Sequence, residues 1–412
     1  MNILIVASRY PEMDSGNNKA TEFMQFFATE WAKEGHDVFV YHAKPKFPSV
    51  VQRLVRAGAS MLRKNKDLVE YHQYRMEGKD AAYEYKGVRI VRRQIRKWFP
   101  KFLCGWGAVR KAADTAFDYI MNINFVPDVI VVDFINPGAF IAPILAKWLR
   151  IPSVVVLHET DYDYLKAPLT AKRALAGLRQ VDFIGFRSEP ARQDFARRYY
   201  EPKDSIVWYS GIPDHLLLDP AAFVPRTEMK RFVTVGRMIK RKNFDITIRA
   251  FDRVNVRQDC RFQFIGYGSE QENLQALAGT LDSAEAITFA GKIPREAVLD
   301  QMAAADVFVF VPHNETFGMV YVEAMSRGCL VVAATGTGAD GIIVHGVNGW
   351  LVAPGDEDAL LQTLRDIDAL SREEIAKVSR AAFETASAMS DSALAAQIAA
   401  KLKDCIRIHR GA

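Results

Sequence analysis

Apolar positions along the chain change period in a repeating order. Asn2–Ala7 is a short unbroken apolar run, the pattern of a parallel strand covered on both faces. A polar stretch from Ser8 to Asn18 follows and contains Ser15-Gly16-Asn17. From near Asn18, the residues Ala20, Phe23, Met24, Phe27 and Trp31 share one helical face, and Gly35 stands where a helix would stop. His36 to Tyr41 is the next strand, so the chain opens on a βαβ unit. The order restarts with a strand at Arg231–Gly236, a basic turn at Arg237 to Lys242 and a helix at Asn243 to Val254. Beyond it the pattern alternates: strand Phe262–Gly266, helix near Glu270–Leu281, strand Ile287–Ala290, helix Arg295–Ala304, strand Val307–Val311, helix Gly318–Arg327, strand Cys329–Ala334. Two βαβ series with separate first strands predict an α/β chain of two doubly wound, Rossmann-like domains facing each other across a cleft. Four prolines between Glu201 and Met229 mark the linker. The expected division is an N-terminal domain over 1–212, a C-terminal domain over 213–390, and a last helix over 391–412 that packs back on the first domain.

Length agrees, since 412 residues exceed one ordinary core. With 49% apolar and 25% charged residues the chain is globular rather than disordered or fibrous. No run reaches the roughly 20 apolar residues of a membrane span, and no basic segment precedes the first apolar one as in a signal peptide. The four cysteines lie far apart and the histidines show no metal-ligand spacing, which fits a reducing cytosol and predicts no metal centre. Charge changes the picture more. Residues 44–111 hold 18 Lys/Arg against 5 Asp/Glu, so with a net charge of +5 the rest of the chain is acidic. This segment breaks the α/β rhythm, and Trp98, Phe99, Phe102 and Trp106 interleave with its cations. It reads either as a membrane-facing surface or as a solvated basic face over ordinary helices. Nucleic acid is disfavoured because the positive charge is confined to one segment.

The chemistry concentrates in Glu315 to Gly328, E-T-F-G-M-V-Y-V-E-A-M-S-R-G, at the carboxyl end of a strand and running into a helix. Ligands of open α/β sheets bind at such ends. The amides of Phe317, Gly318 and Met319, near a helix start, can receive phosphate oxygens, and Gly318 permits close backbone approach. Glu315 and Glu323 would flank a diphosphate; carboxylates only accept hydrogen bonds, so they suit sugar hydroxyls, including the pair on a ribose.

These residues resemble the retaining glycosyltransferases of family 4, which have the GT-B fold. Val235-Gly236-Arg237 with Lys242-Asn243 is similar to the family's basic turn, and Gly266-Tyr267-Gly268, Gly291-Lys292 and Gly346-Val347-Asn348-Gly349 match later segments. The resemblance implies a transferase that moves a sugar from a UDP- or GDP-sugar to a glycan or lipid-linked acceptor in cell-envelope polysaccharide synthesis. No cofactor or metal is implied, and the enzyme would work in the cytoplasm, peripherally at the inner face of the membrane if residues 44–111 bind it. It assigns the reaction to His158, Glu315, Arg237 and Lys242, and donor binding to Gly16, Gly266, Gly268, Lys292, Phe317, Gly318, Met319 and Glu323. The fixed cations would neutralise the leaving diphosphate. The chain departs from the family at Asp133, Asp340 and Asp391. Two alternatives stay open. Asp161-Tyr162-Asp163 after a strand could hold a divalent metal, and the same fold could serve a sugar-nucleotide epimerase or hydrolase.

Overall fold

The computed structural model describes residues 1–12, 22–53, 79–98, 102–255, 259–313, 315 and 317–411. It divides into two compact units: Met1–Arg187 with Phe195–Trp208 and Ala395–Ala412, and Ser188–Asp194 with Tyr209–Leu394.

The first unit is built on strands β1 (Asn2–Ala7), β2 (Asp37–Lys46), β3 (Ala81–Tyr85), β4 (Val88–Arg96), β5 (Val129–Asp133), β6 (Ser153–Val156), β7 (Phe183–Phe186) and β8 (Ser205–Val207). They lie in the order β3-β4-β2-β1-β5-β6-β7-β8, all parallel except the edge strand β3. The apolar runs of β1 and β5 are buried because helices cover both faces. Chain order reverses between β1 and β5, and ligands of such sheets bind outside the carboxyl ends at that point.

The second unit has β9 (Arg231–Val235), β10 (Arg261–Ile265), β11 (Ile287–Gly291), β12 (Val307–Phe310), β13 (Leu330–Ala334) and β14 (Trp350–Val352) in the order β11-β10-β9-β12-β13-β14, all parallel. Here the reversal falls between β9 and β12. The basic turn and the Glu315 turn follow those two strands, so both stand at the switch point.

Several boundaries differ from expectation for physical reasons. The first long helix is Phe23–Lys33, with Phe23, Met24, Phe27 and Trp31 buried, and Gly35 (φ 82°) takes the left-handed turn that stops it. Asn18, Ala20 and the glycine turn with Gly16 lie outside the described residues. The chain passes between units at Trp208/Tyr209, not after residue 212. Ser205–Val207 completes the first sheet, and Trp208 packs against Phe27 and Trp31 at 5.4 and 6.1 Å between ring centroids. Ile212 instead exchanges backbone hydrogen bonds with Met389 and Asp391, at 3.0 and 2.8 Å, within the second unit. The last helix, Asp391–His409, divides at Leu394/Ala395, and its later part belongs with the first unit, where Trp31 Nε1 donates to the Ala395 carbonyl at 2.9 Å.

The basic segment does not break the sheet. Its strand β4 pairs in parallel with β2 over eight positions, and β3 closes it as a hairpin. Part of its charge is internal: Lys44 and Arg92 are buried and both pair with buried Glu12, Arg92 at 3.2 Å, while Lys97 Nζ donates to the Tyr164 hydroxyl at 2.9 Å. Leu54, Val55, Met61 and Leu62, whose spacing suggests a helix, lie outside the described residues. Among the described residues no helix is long and apolar enough to cross a membrane.

Candidate active site

In the second unit, three contacts clasp the turns after β9 and β12. The His313 amide donates to the Arg241 carbonyl at 2.8 Å, Asn243 Nδ2 donates to the Val311 carbonyl at 2.8 Å, and Lys242 Nζ pairs with a Glu315 carboxylate oxygen. Asn243 sits at φ 54°, a left-handed position that asparagine tolerates, and this sets Lys242 just before the helix Phe244–Val254. The Lys242 ammonium is nearly buried and stands 4.9 Å above the Phe310 ring. A cation so held is desolvated and strengthened toward any added anion. The acidic and basic residues assigned by resemblance to separate parts of a donor are therefore in direct contact. Arg237 is exposed on the same turn.

Gly338 supports the Glu315 turn. Its amide donates to the Glu315 carbonyl at 2.8 Å, and a Cβ there would lie 2.1 Å from Phe317 Cα. Gly318, at φ 76°, starts the short helix Met319–Met325 with no side-chain cap. Phe317 is buried, 5.7 Å from the Tyr209 ring. Glu323 is 6% exposed on that helix, accepts from Arg295 Nε at 2.9 Å and pairs with its Nη2 at 2.7 Å. Gly266 and Gly268 have a reason internal to the fold: a Cβ at either would come within 2.0 or 2.2 Å of the Gly236 or Met238 carbonyl. They let the loops after β9 and β10 lie together. Lys292 is exposed, with its ammonium 5.6 Å from the Tyr267 ring centroid. Asp340 accepts from the Gly336 amide at 2.8 Å, closing its own turn.

In the first unit the carboxyl ends of β5 and β6 meet. His158 follows β6, and its Nε2 lies 2.6 Å from Asp133 Oδ1 at the end of β5. The imidazole stacks on Phe134 with centroids 4.1 Å apart and receives the edge of Phe23 at 5.2 Å. Phe134 itself takes φ 72°, a strained conformation for a bulky residue and of the kind found at functional sites. Arg187 lies 3.8 Å over Phe23, and burial brings its guanidinium down to about 9, against the opposing pull of Asp133. Asp133 is fully buried, and its Oδ2 has no hydrogen-bond partner among the described residues.

Asp161 is occupied otherwise than a metal ligand would be. Its two oxygens accept the amides of Ile135 and His158 at 3.0 and 2.9 Å, and burial pushes its carboxyl up to about 6. It pins the backbone on either side of the His158–Asp133 contact. Asp133 is the functional candidate missed at the sequence level. Its signal was present, because adjacent parallel strands bring their carboxyl ends together. Arg295, 28 positions before Glu323, carried no such signal.

Two doubly wound units, each with charged side chains gathered at its switch point, are the parts of a GT-B protein. A family model described as Glycosyltransferase Family 4 matches residues 22–216, and another described as Glycosyl transferases group 1 matches residues 219–384. The chain belongs to the group 1, family 4-like glycosyltransferases. It is 29% identical over 228 residues to the GDP-mannose-dependent alpha-(1-6)-phosphatidylinositol monomannoside mannosyltransferase of Mycolicibacterium smegmatis, covering 51% of this chain and 58% of that protein. To the sulfoquinovosyl transferase of Arabidopsis thaliana it is 32% identical over 287 residues, covering 62% of this chain and 53% of that protein. The matches thus span little more than half the length of these relatives. The Anabaena protein HepE, crystallised with UDP and glucose, superposes with a TM-score of 0.62 at 19% identity, over 98% of this chain and 100% of that one.

Proposed function

We propose that this protein is a retaining, metal-independent glycosyltransferase that moves a sugar from a UDP- or GDP-sugar to a glycan or lipid-linked acceptor in envelope polysaccharide synthesis. The observation that carries the reading is the contact of Lys242 with Glu315 at the β9/β12 switch point, beside the helix bearing Glu323. A nucleoside diphosphate leaves with growing negative charge, and a fixed, poorly hydrated ammonium favours that state over the bound donor. Arg237 adds a second cation, and two cations can do the work of a metal. The acceptor side is assigned to the first unit, with His158 held by Asp133. A relative named for GDP-mannose and a phosphatidylinositol mannoside supports the substrate classes.

Calorimetric titration with UDP and GDP in EDTA tests the donor half. Binding of one nucleotide without metal is expected. Binding that appears only after Mn²⁺ is added would remove the metal-free reading. Turnover of the donor sugar with no acceptor present would instead identify an epimerase or hydrolase.

A peripheral site on the cytoplasmic membrane face is part of the same proposal. Trp98, Phe102 and Trp106 are 55%, 44% and 59% exposed, and Arg96, Arg110 and Lys111 are exposed near them in sequence. Each cation near anionic lipid contributes about 1 kcal/mol. The protein is expected to float with anionic liposomes at low salt and to do so less after Trp98→Ala/Trp106→Ala. No flotation of the parent protein would end the membrane assignment.

A further inference from the structure

We propose that Arg295 is a specificity-determining residue that makes Glu323 read one hydroxyl of the donor ribose rather than two. The inference rests on the proposal that a nucleoside diphosphate binds with its ribose at Glu323. A free carboxylate facing a vicinal diol offers one oxygen to each hydroxyl. Here the two oxygens are not equivalent. Arg295 Nε donates to Glu323 Oε1 at 2.9 Å, and Nη2 forms an ion pair with the same oxygen at 2.7 Å. Among the described residues no hydrogen bond reaches Oε2.

The arrangement follows from how the two elements start. Arg295 is the first residue of the helix Arg295–Ala304, directly after Pro294, whose ring fixes the backbone entering that helix. Glu323 lies within Met319–Met325, in the next helix along the chain, with its carboxyl 8% exposed. The guanidinium is 40% exposed, so it covers the carboxylate from the solvent side. Its fork is planar and rigid, and with one hydrogen bond and an ion-pair contact on the same oxygen it turns Oε1 towards the guanidinium. Oxygen Oε1 is thereby committed, and Oε2 is left as the acceptor for a ligand. Removing the cation leaves a nearly buried carboxylate unpaired, so Arg295→Gln is expected to lower the melting temperature. The readout that isolates ligand discrimination is the ratio between the two deoxy analogues, which a uniform loss of stability does not change.

The test is calorimetry with UDP and GDP and with the 2′-deoxy and 3′-deoxy forms of each, against the parent protein, Arg295→Gln, Arg295→Lys and Glu323→Gln. In the parent, one deoxy analogue should lose about tenfold or more in affinity, the worth of one hydroxyl on a charged acceptor, while the other stays within about threefold. In Arg295→Gln both oxygens are released, and both analogues should lose affinity to similar extents. Arg295→Lys keeps the charge but not the fork and should fall between. Equal losses on both analogues in the parent, or an unequal pattern that survives Arg295→Gln, would overturn the proposal. Failure of the underlying reading looks different: neither nucleotide binds the parent, or Glu323→Gln binds as tightly as the parent.

Discussion

Replacing Lys242 by methionine is expected to lower kcat by about 10²–10³-fold, the cost of removing one pre-positioned group aimed at developing charge. Methionine keeps the length of the side chain and its packing on Phe310 while deleting the ammonium. Two consequences must be separated, because Lys242 also neutralises Glu315, whose side chain is 16% exposed. Exposed pairs contribute about 0–1 kcal/mol, whereas breaking a buried one costs about 3–5 kcal/mol. The single variant should therefore lose roughly 2 kcal/mol of stability, between those limits. Adding Glu315→Gln removes the stranded carboxylate. Lys242→Met/Glu315→Gln should recover stability in urea melts and remain as inactive as the single variant. Recovery of activity along with stability would mean that Lys242 serves only to balance Glu315. Nearly full activity in Lys242→Met itself would take the cation out of the reaction.

What could be read from residues alone divides by range. Parallel strands such as Asn2–Ala7 and Val307–Phe310 are short apolar runs because both faces are covered, and their pattern is local. The edge strand Ala81–Tyr85 alternates between half-buried and exposed positions, and its partner carries Arg89, Arg92, Arg93 and Arg96, so neither announces a strand. Arg92 is tolerated inside because Glu12, 80 positions away, supplies the opposite charge. Only the fold creates that pairing, and a basic segment thus looked more like a surface than it is. The site shows the same division. Glu315, Gly318 and Glu323 lie within one strand-to-helix turn and were legible together. The reach of Lys242 to Glu315 spans 73 positions and that of Arg295 to Glu323 spans 28. The close approach that Gly266 and Gly268 permit is likewise to a neighbouring loop. Each of these contacts depends on which strands are neighbours, and the β9/β12 reversal is a tertiary fact.

Asp133 is expected to act through His158, and the size of its effect follows from one charge-assisted hydrogen bond. Such a bond contributes about 1.5–3 kcal/mol, so Asp133→Ala should lower kcat by about 10- to 150-fold. The ring would keep its stacking on Phe134 but lose the contact at 2.6 Å that fixes which way its nitrogens point. Nucleotide affinity, measured without acceptor, should be unchanged in this variant, because Lys242, Arg237 and Glu323, the charged groups assigned to the diphosphate and ribose, stand in the second unit. Asp133→Asn retains an acceptor for Nε2–H and should recover part of the rate. The decisive comparison is the double variant. If Asp133 only positions His158, then Asp133→Ala/His158→Ala loses no more than His158→Ala alone, since nothing remains to position. Additive losses would mean that the buried Oδ2, which has no hydrogen-bond partner among the described residues, contacts the substrate directly. A rate in Asp133→Ala equal to that of the parent would make the pair a packing contact without a part in the reaction.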